Sequence, residues 1–328
     1  MAFLWCESFD KIGNTTNLLL KYPASSGTFS FPSGRLGGNA MQISGTWLCP
    51  HAAASTIVLG FAFNFGSDNS SRTDFVKFFE GATLHIEVEW TFGTWTVKRG
   101  TTTIATVPDA VIPVNTWHYL EIKIEIGASG SWEIRRNGAT LGSASGVNTQ
   151  NGGTGVATRI LLSNGANPAF TVDDVYILDG TGSAPMNNFL GDSLVEAFSP
   201  NAAGDFSDFT PSAGSNWQNV NEASQNGDTT YNASSTVGHK DLYQIQDTAR
   251  AGAVRGLVIT AWLRKDDAGA RDACITVRSG GTDADSSSIA LGNSYQAYMA
   301  ILATDPNTGS PWTVAALNAL QIGAKVLS

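Results

Sequence analysis

Carboxylates are the side chains of this sequence whose spacing could do chemistry. In "TLHIEVEWT" Glu87 and Glu89 share one face of a strict alternation, and in "YLEIKIEI" Glu121 and Glu125 share another. Two acids on one face can act as proton donor and acceptor when their surroundings differ. A further acidic pair, Asp173-Asp174 in "FTVDDVYILD", sits where the alternation slips: Phe170 and Val172 are in one phase, Val175 and Ile177 in the other. A one-residue slip inside a strand predicts a β-bulge, which turns both carboxylates to a local kink. The histidines His51, His85, His118 and His239 are scattered, and no G-x-S-x-G elbow accompanies them, which argues against Ser/His/Asp catalysis. Cys6, Cys49 and Cys274 are odd in number and widely spaced. They predict buried free thiols rather than a disulfide framework or a zinc site.

The elements that must position these groups are strands. Thirty-five glycines and only 14% charged residues suit short strands and tight turns better than long amphipathic helices. Leu84, Ile86, Val88 and Trp90 make the apolar side of one strand; Leu120, Ile122 and Ile124 make that of another, and Asn137-Gly138 fits a two-residue hairpin turn. A length of 328 residues predicts two domains. The net charge is −9, with 11 basic against 14 acidic residues in 1–180 and 8 against 14 in 181–328. Neither half offers the basic face that phosphate backbones require, so nucleic acid is not an expected partner. No apolar run is long enough to span a bilayer, and "MAFLWCESFD" has no basic region ahead of its apolar patch; the expectation is a soluble chain made in a cytoplasm, without membrane insertion.

In this order, "NTWHYLEIKIEI", "GSWEIRRNGATLG" and "FTVDDVYILDG" resemble the concanavalin A-like, laminin-G-type β-sandwich, and the likeness covers most of residues 1–180. The resemblance implies the fold and leaves function open among lectins, adhesion modules, glycosidases and structural domains. In such domains acids at a bulge can hold calcium, which makes Asp173 and Asp174 calcium candidates, although the ion takes roughly six to eight oxygens and two side chains are in view. Surface aromatics can stack on sugar rings there, which makes Trp95 and Trp132 glycan candidates, against a core able to absorb most of the nine tryptophans. Glycosidases of this fold set two or three carboxylates on one strand with spacing near E-x-D-x-x-E, and neither glutamate pair has that spacing or a third acid. The expectation is a protein that is not an enzyme.

"LDGTGSAPMNNFLGD" gathers turn formers ahead of the apolar pair Phe189-Leu190, and predicts an ordered connector over residues 181–195. Residues 196–328 then predict a second sandwich: a loop-rich stretch pinned by aromatics, a hairpin of "GLVITAWLR" with "ACITVRSG", a helical turn entered near Thr313 and a last strand from Gln321. The fold class expected is therefore all-β, two antiparallel β-sandwich (jelly-roll) domains over 1–180 and 196–328. "DDVYILDGTGSAPMNNFLGD", "YNASSTVGHKDLYQI", "RKDDAGARDACITVRSGG" and "SPWTVAALNALQIGAKV" resemble tail and minor structural proteins of tailed bacteriophages. That resemblance implies a structural component of the virion, in the tail, the collar or on the head surface, present in several copies and made in the host bacterial cytoplasm. Its partners would be other virion proteins and copies of itself; the alternative is a carbohydrate- or receptor-binding adhesin that meets a host-surface glycan.

Overall fold

Alternating sequences become paired strands throughout residues 3–328, which a computed structural model describes. The chain divides into two compact units, the first ending at Val195 and the second spanning Glu196–Ser328. The first contains β1 (Phe3–Glu7), β2 (Ser26–Ser30), β3 (Met41–Ala54), β4 (Thr56–Asn64), β5 (Arg72–Glu80), β6 (Thr83–Thr91), β7 (Thr94–Arg99), β8 (Thr102–Pro108), β9 (His118–Glu125), β10 (Gly130–Arg136), β11 (Ala139–Val147), β12 (Ala157–Ser163) and β13 (Phe170–Asp179), with one helix, α1 (Thr15–Lys21). All pairing is antiparallel, in the order β11-β10-β9-β4-β13-β3-β12-β5-β6-β7-β8, with β1 added to β13 and β2 to β3.

This long sheet curls into two layers that face each other across an aromatic core. Phe61 and Phe63 on β4 meet Phe75 on β5 at 6.0 and 5.9 Å between ring centroids, and Trp90 and Trp95 pack at 5.0 Å. Such pairs add about 0.5–1.5 kcal/mol each beyond their buried area. Where the two ends of the sheet meet, Gly142 on β11 lies against Val107 on β8 with no room for a Cβ. A second aromatic group, Trp5, Tyr22 and Trp47, joins β1, the end of α1 and β3. The helix was not foreseen because "TTNLLLK" is too short to show a helical period; it is started by Asn14, whose side chain accepts from the Asn17 amide at 2.9 Å.

The predicted bulge is present. Asp173 pairs with Ala62 of β4, the register then shifts so that Tyr176 pairs with Gly60, and Asp174 takes φ 51°. Residues 181–195, expected as an ordered connector, group with the first unit. The Leu190 amide donates to the Tyr176 hydroxyl at 3.1 Å, Lys123 donates to the Asn187 carbonyl at 3.1 Å, and the Arg135 guanidinium stacks 4.1 Å from the Phe189 ring centroid.

The second unit is also all-β. It contains β14 (Pro200–Ser207), β15 (Thr210–Pro211), β16 (Asn232–Ala233), β17 (Lys240–Ile245), β18 (Leu257–Leu263), β19 (Asp272–Ser279), β20 (Thr282–Asp285), β21 (Ile289–Ala290), β22 (Gln296–Leu302) and β23 (Gln321–Val326), with α2 (Val314–Asn318). One sheet runs β14-β17-β23-β19-β20 with β21 beside β19; β18 pairs with β22 separately. Ile245, Ile259, Ile275, Val277, Trp312, Leu317 and Leu320 fill the space between sheet, strand pair and helix. Thr313 caps α2 as expected, accepting from the Ala316 amide at 3.0 Å. The expected hairpin of β18 with β19 does not form. β18 is apolar on both faces, and such a pattern fixes strand type without fixing the partner. Among the described residues no helix is long and apolar enough to cross a membrane.

Candidate functional site

The first unit has two charged faces, one on each layer. On the first, β5, β6 and β7 lie side by side, and the register places Lys77, Glu87 and Lys98 in one row across them. Glu89 stands two residues further along β6. Its carboxylate takes Lys98 Nζ at 2.6 Å. The register of β5 slips between Arg72 and Val76, with Asp74 at φ 62°, and this second bulge brings Asp74 against Lys77 and Glu87. Asp is one of the few non-glycine residues that tolerate this left-handed conformation.

The environment separates the two acids. Burial pushes the Glu87 carboxyl up, the neighbouring charges of Glu89 and Asp74 add to this, and Lys77 opposes it. Asp74 is also raised by burial, but its hydrogen bond and charge pairing with Lys77 outweigh that and hold it below the usual carboxylate range. The two adjacent carboxyls are thus driven in opposite directions. Glu87 is only 6% exposed, and its Oε1 has no hydrogen-bond partner; Lys77 Nζ is 3.5 Å away, too far for a good one. An unpartnered buried carboxyl oxygen carries an unmet hydrogen-bonding need. His85, on the same side of β6, is already occupied: Nε2 lies 3.2 Å from Glu80, and Nδ1 accepts from the Asn151 amide at 3.1 Å.

The second face belongs to β9, β10, β4 and β13, and here the chain seals its own charges. Glu121 Oε1 accepts from the Tyr176 hydroxyl and from the Gly191 amide, the latter at 2.8 Å. Gly60 leaves room for the Tyr176 ring, since a Cβ there would fall 2.2 Å from it. Burial and Glu121 keep the Tyr176 hydroxyl protonated by raising it well above its ordinary value. Glu125, at the strand end, is exposed and accepts from the Ser131 hydroxyl at 3.0 Å.

Asp173 and Asp174 belong to this sealed face, and the calcium expectation for them is corrected. All four carboxyl oxygens already accept a hydrogen bond: Asp173 from the Asp174 and Arg35 amides at 2.9 and 2.8 Å, Asp174 from the Val195 amide at 2.8 Å and Arg35 Nε at 2.9 Å. Arg35 also reaches Asp192 and the Ser193 carbonyl. The bulge thus anchors the 34–39 loop and residues 192–195. No group of three or more His, Cys, Asp or Glu among the described residues is arranged to hold a metal ion.

The two glycan candidates are corrected as well. Trp95 is 0% and Trp132 5% exposed, because both point from their strands into the core. Bringing a buried indole to the surface would lose about 1.5–3 kcal/mol of burial, more than the roughly 0.5–1.5 kcal/mol a stacking contact gives back. Trp95 also donates to Asp109 at 2.9 Å. An aromatic surface does exist at Phe92, 68% exposed in the turn joining β6 to β7. The other histidines are held locally: His51 against the Ala52 carbonyl, His118 beside Asn137 and Arg136, His239 beside Ser234. Cys6, Cys49 and Cys274 are free thiols, and burial pushes Cys6 up to about 12.

No known protein family and no curated protein matches this sequence. Solved structures similar to it include an endo-β-1,4-glucuronan lyase from the fungus Trichoderma reesei (12% identity, TM-score 0.38, 53% of this chain and 94% of that one) and the alginate lyase Aly36B (12%, 0.41, 54% and 97%). A Trypanosoma rangeli sialidase is also similar, at 12% identity and TM-score 0.33 over 43% of this chain and 25% of the sialidase. Those proteins are carbohydrate-active enzymes, so the expectation that the chain is not an enzyme finds no support among its structural neighbours. The fold brings Asp74 of β5 beside Glu87 of β6, a relation that no single strand encodes. Lys77 and Lys98 were missed in the same way.

Proposed function

We propose that the protein is a virion-associated protein of a tailed bacteriophage, present in several copies, whose first unit engages a cell-surface polysaccharide through the open face of β5, β6 and β7. The observation that carries the engagement is the Glu87 carboxyl, buried, pushed up, and with one oxygen left without a partner beside ionised Asp74. A sugar chain laid across the row Lys77, Glu87, Lys98 would accept from the lysines. The acid pair would then stand ready to pass a proton to or from the bound glycan. Placement in a particle is supported by the sequence patterns of residues 172–328. Multiple copies are supported by β11, an edge strand exposed or half-exposed along its whole length, since unpaired edges are natural surfaces for assembly.

The test has two arms. Particles are probed with antibody against the chain, and purified protein is run through gels containing host surface polysaccharides, wild type beside Glu87→Gln. Signal on the particle and retardation lost in the variant are expected. Absence from particles would end the virion reading, and equal retardation of both proteins would end the role of the open face.

A further inference from the structure

We infer that the second unit carries its own binding site for a single neutral sugar ring, in a cleft between β14, β17 and the 3-10 turn Asn216–Asn219. This site is independent of the open face of the first unit. The cleft holds about 240 Å³. That is below the roughly 300–1,000 Å³ taken by drug-sized ligands, and so suits one ring rather than a chain.

The cleft exists because β14 and β17 are out of step. Ala203 pairs with Tyr243 and Ser207 with Asp241, so β14 spends more residues than its partner between these points and bows outward. Trp217 and Asn216 from the 3-10 turn form the opposite wall. A half-buried indole in such a wall offers an apolar face to the C–H side of a sugar ring. Beside it stand the exposed Ser207 hydroxyl and the half-buried Asn216. Donors and acceptors are therefore displayed around an apolar platform, the combination that fixes a polyhydroxylated ring in place.

Asp241 shows that the wall is built and held. It is 0% exposed, and its oxygens accept from the Phe209 amide at 2.8 Å, the Asn216 side-chain amide at 2.6 Å and the Tyr243 hydroxyl at 2.9 Å. Asn232 completes the frame by donating to the Tyr243 hydroxyl and the Asn216 carbonyl, each at 2.8 Å. With the buried carboxylate consumed by three donors, and no charged side chain lining the cleft, neither an anionic nor a cationic ligand finds a partner there. A neutral hexose or N-acetylhexosamine fits this chemistry, and a uronic acid does not.

The experiment is saturation-transfer NMR on the full chain with methyl glycosides of neutral hexoses, an N-acetylhexosamine and a uronic acid. Transfer to ring C–H protons of a neutral glycoside is expected, with at least tenfold weaker binding in Trp217→Ala and in Ala203→Phe, and unchanged binding in Glu87→Gln. Ala203 is exposed and outside the Asp241 network, so its variant decides the matter if Trp217→Ala fails to fold. The inference is overturned if no neutral glycoside receives saturation, if the uronic acid binds as well as the neutral rings, if both cleft variants bind like wild type, or if Glu87→Gln abolishes the signal.

Discussion

Two bulges of the first unit each turn an aspartate into left-handed backbone, Asp74 on β5 and Asp174 on β13, and their surroundings diverge from there. Asp174 is enclosed: Arg35 and the Val195 amide use its oxygens, and its own carbonyl accepts from the Tyr119 hydroxyl at 3.1 Å. Asp74 is met by a lysine and by another carboxyl that burial has pushed up. The same backbone device serves architecture on one face and displays chemistry on the other. What decides between the two is whether nearby main-chain amides satisfy the acids, because satisfied charges lock a fold and unsatisfied ones await a ligand.

Removing the cation from the sealed face has the largest expected effect. Arg35→Met leaves Asp174 buried without its ion pair, and losing one partner of such a pair costs about 3–5 kcal/mol. Denaturant unfolding should register it; a loss below about 1 kcal/mol would mean the face is not held as described. Next comes pH. Burial, with the neighbouring Asp174 charge, raises Asp173 from 3.8 to about 7. A carboxyl raised in the folded state contributes stability that is complete below its unfolded value and lost as pH climbs through the folded one. Stability should therefore fall between about pH 4 and pH 7, by on the order of 4 kcal/mol, and Asp173→Asn should flatten that slope whatever its effect on absolute stability. An unchanged slope would show that Asp173 is not protonated in the folded protein. Tyr176→Phe removes a hydroxyl that serves both Glu121 and the Leu190 amide, at a cost of about 1–3 kcal/mol, and residues 181–195 should become easier to cut with protease. On the other face, Lys77→Met should raise Glu87 further and weaken polysaccharide retention.

Local patterns were legible in the sequence. The two faces of β6 and β9, the slip at Asp173-Asp174, the turn at Asn137-Gly138 and the Thr313 cap each depend on a few adjacent residues, and each is found where the alternation or cap chemistry places it. Cross-strand relations were not. Asp74 and Glu87 are brought together by register, and β18 finds β22 across 33 residues, neither of which a single strand encodes. A signal for the second bulge was nonetheless present: in "RTDFVKFFE" the neighbours Phe75-Val76 and Phe78-Phe79 break alternation as Asp173-Asp174 does, and that break marks Asp74. The candidates Trp95 and Trp132 failed because residue type indicates what a side chain can bind, while burial decides whether it is offered.

The most direct test sets one glutamate from each face side by side. Glu87→Ala and Glu121→Ala are compared with wild type for retention of host polysaccharide and for unfolding free energy. The account predicts that Glu87→Ala loses retention, while Glu121→Ala, which strands the Tyr176 hydroxyl and the Gly191 amide, loses stability and keeps retention. The reverse pattern, or retention untouched by Glu87→Ala, would contradict the assignment of chemistry to the open face.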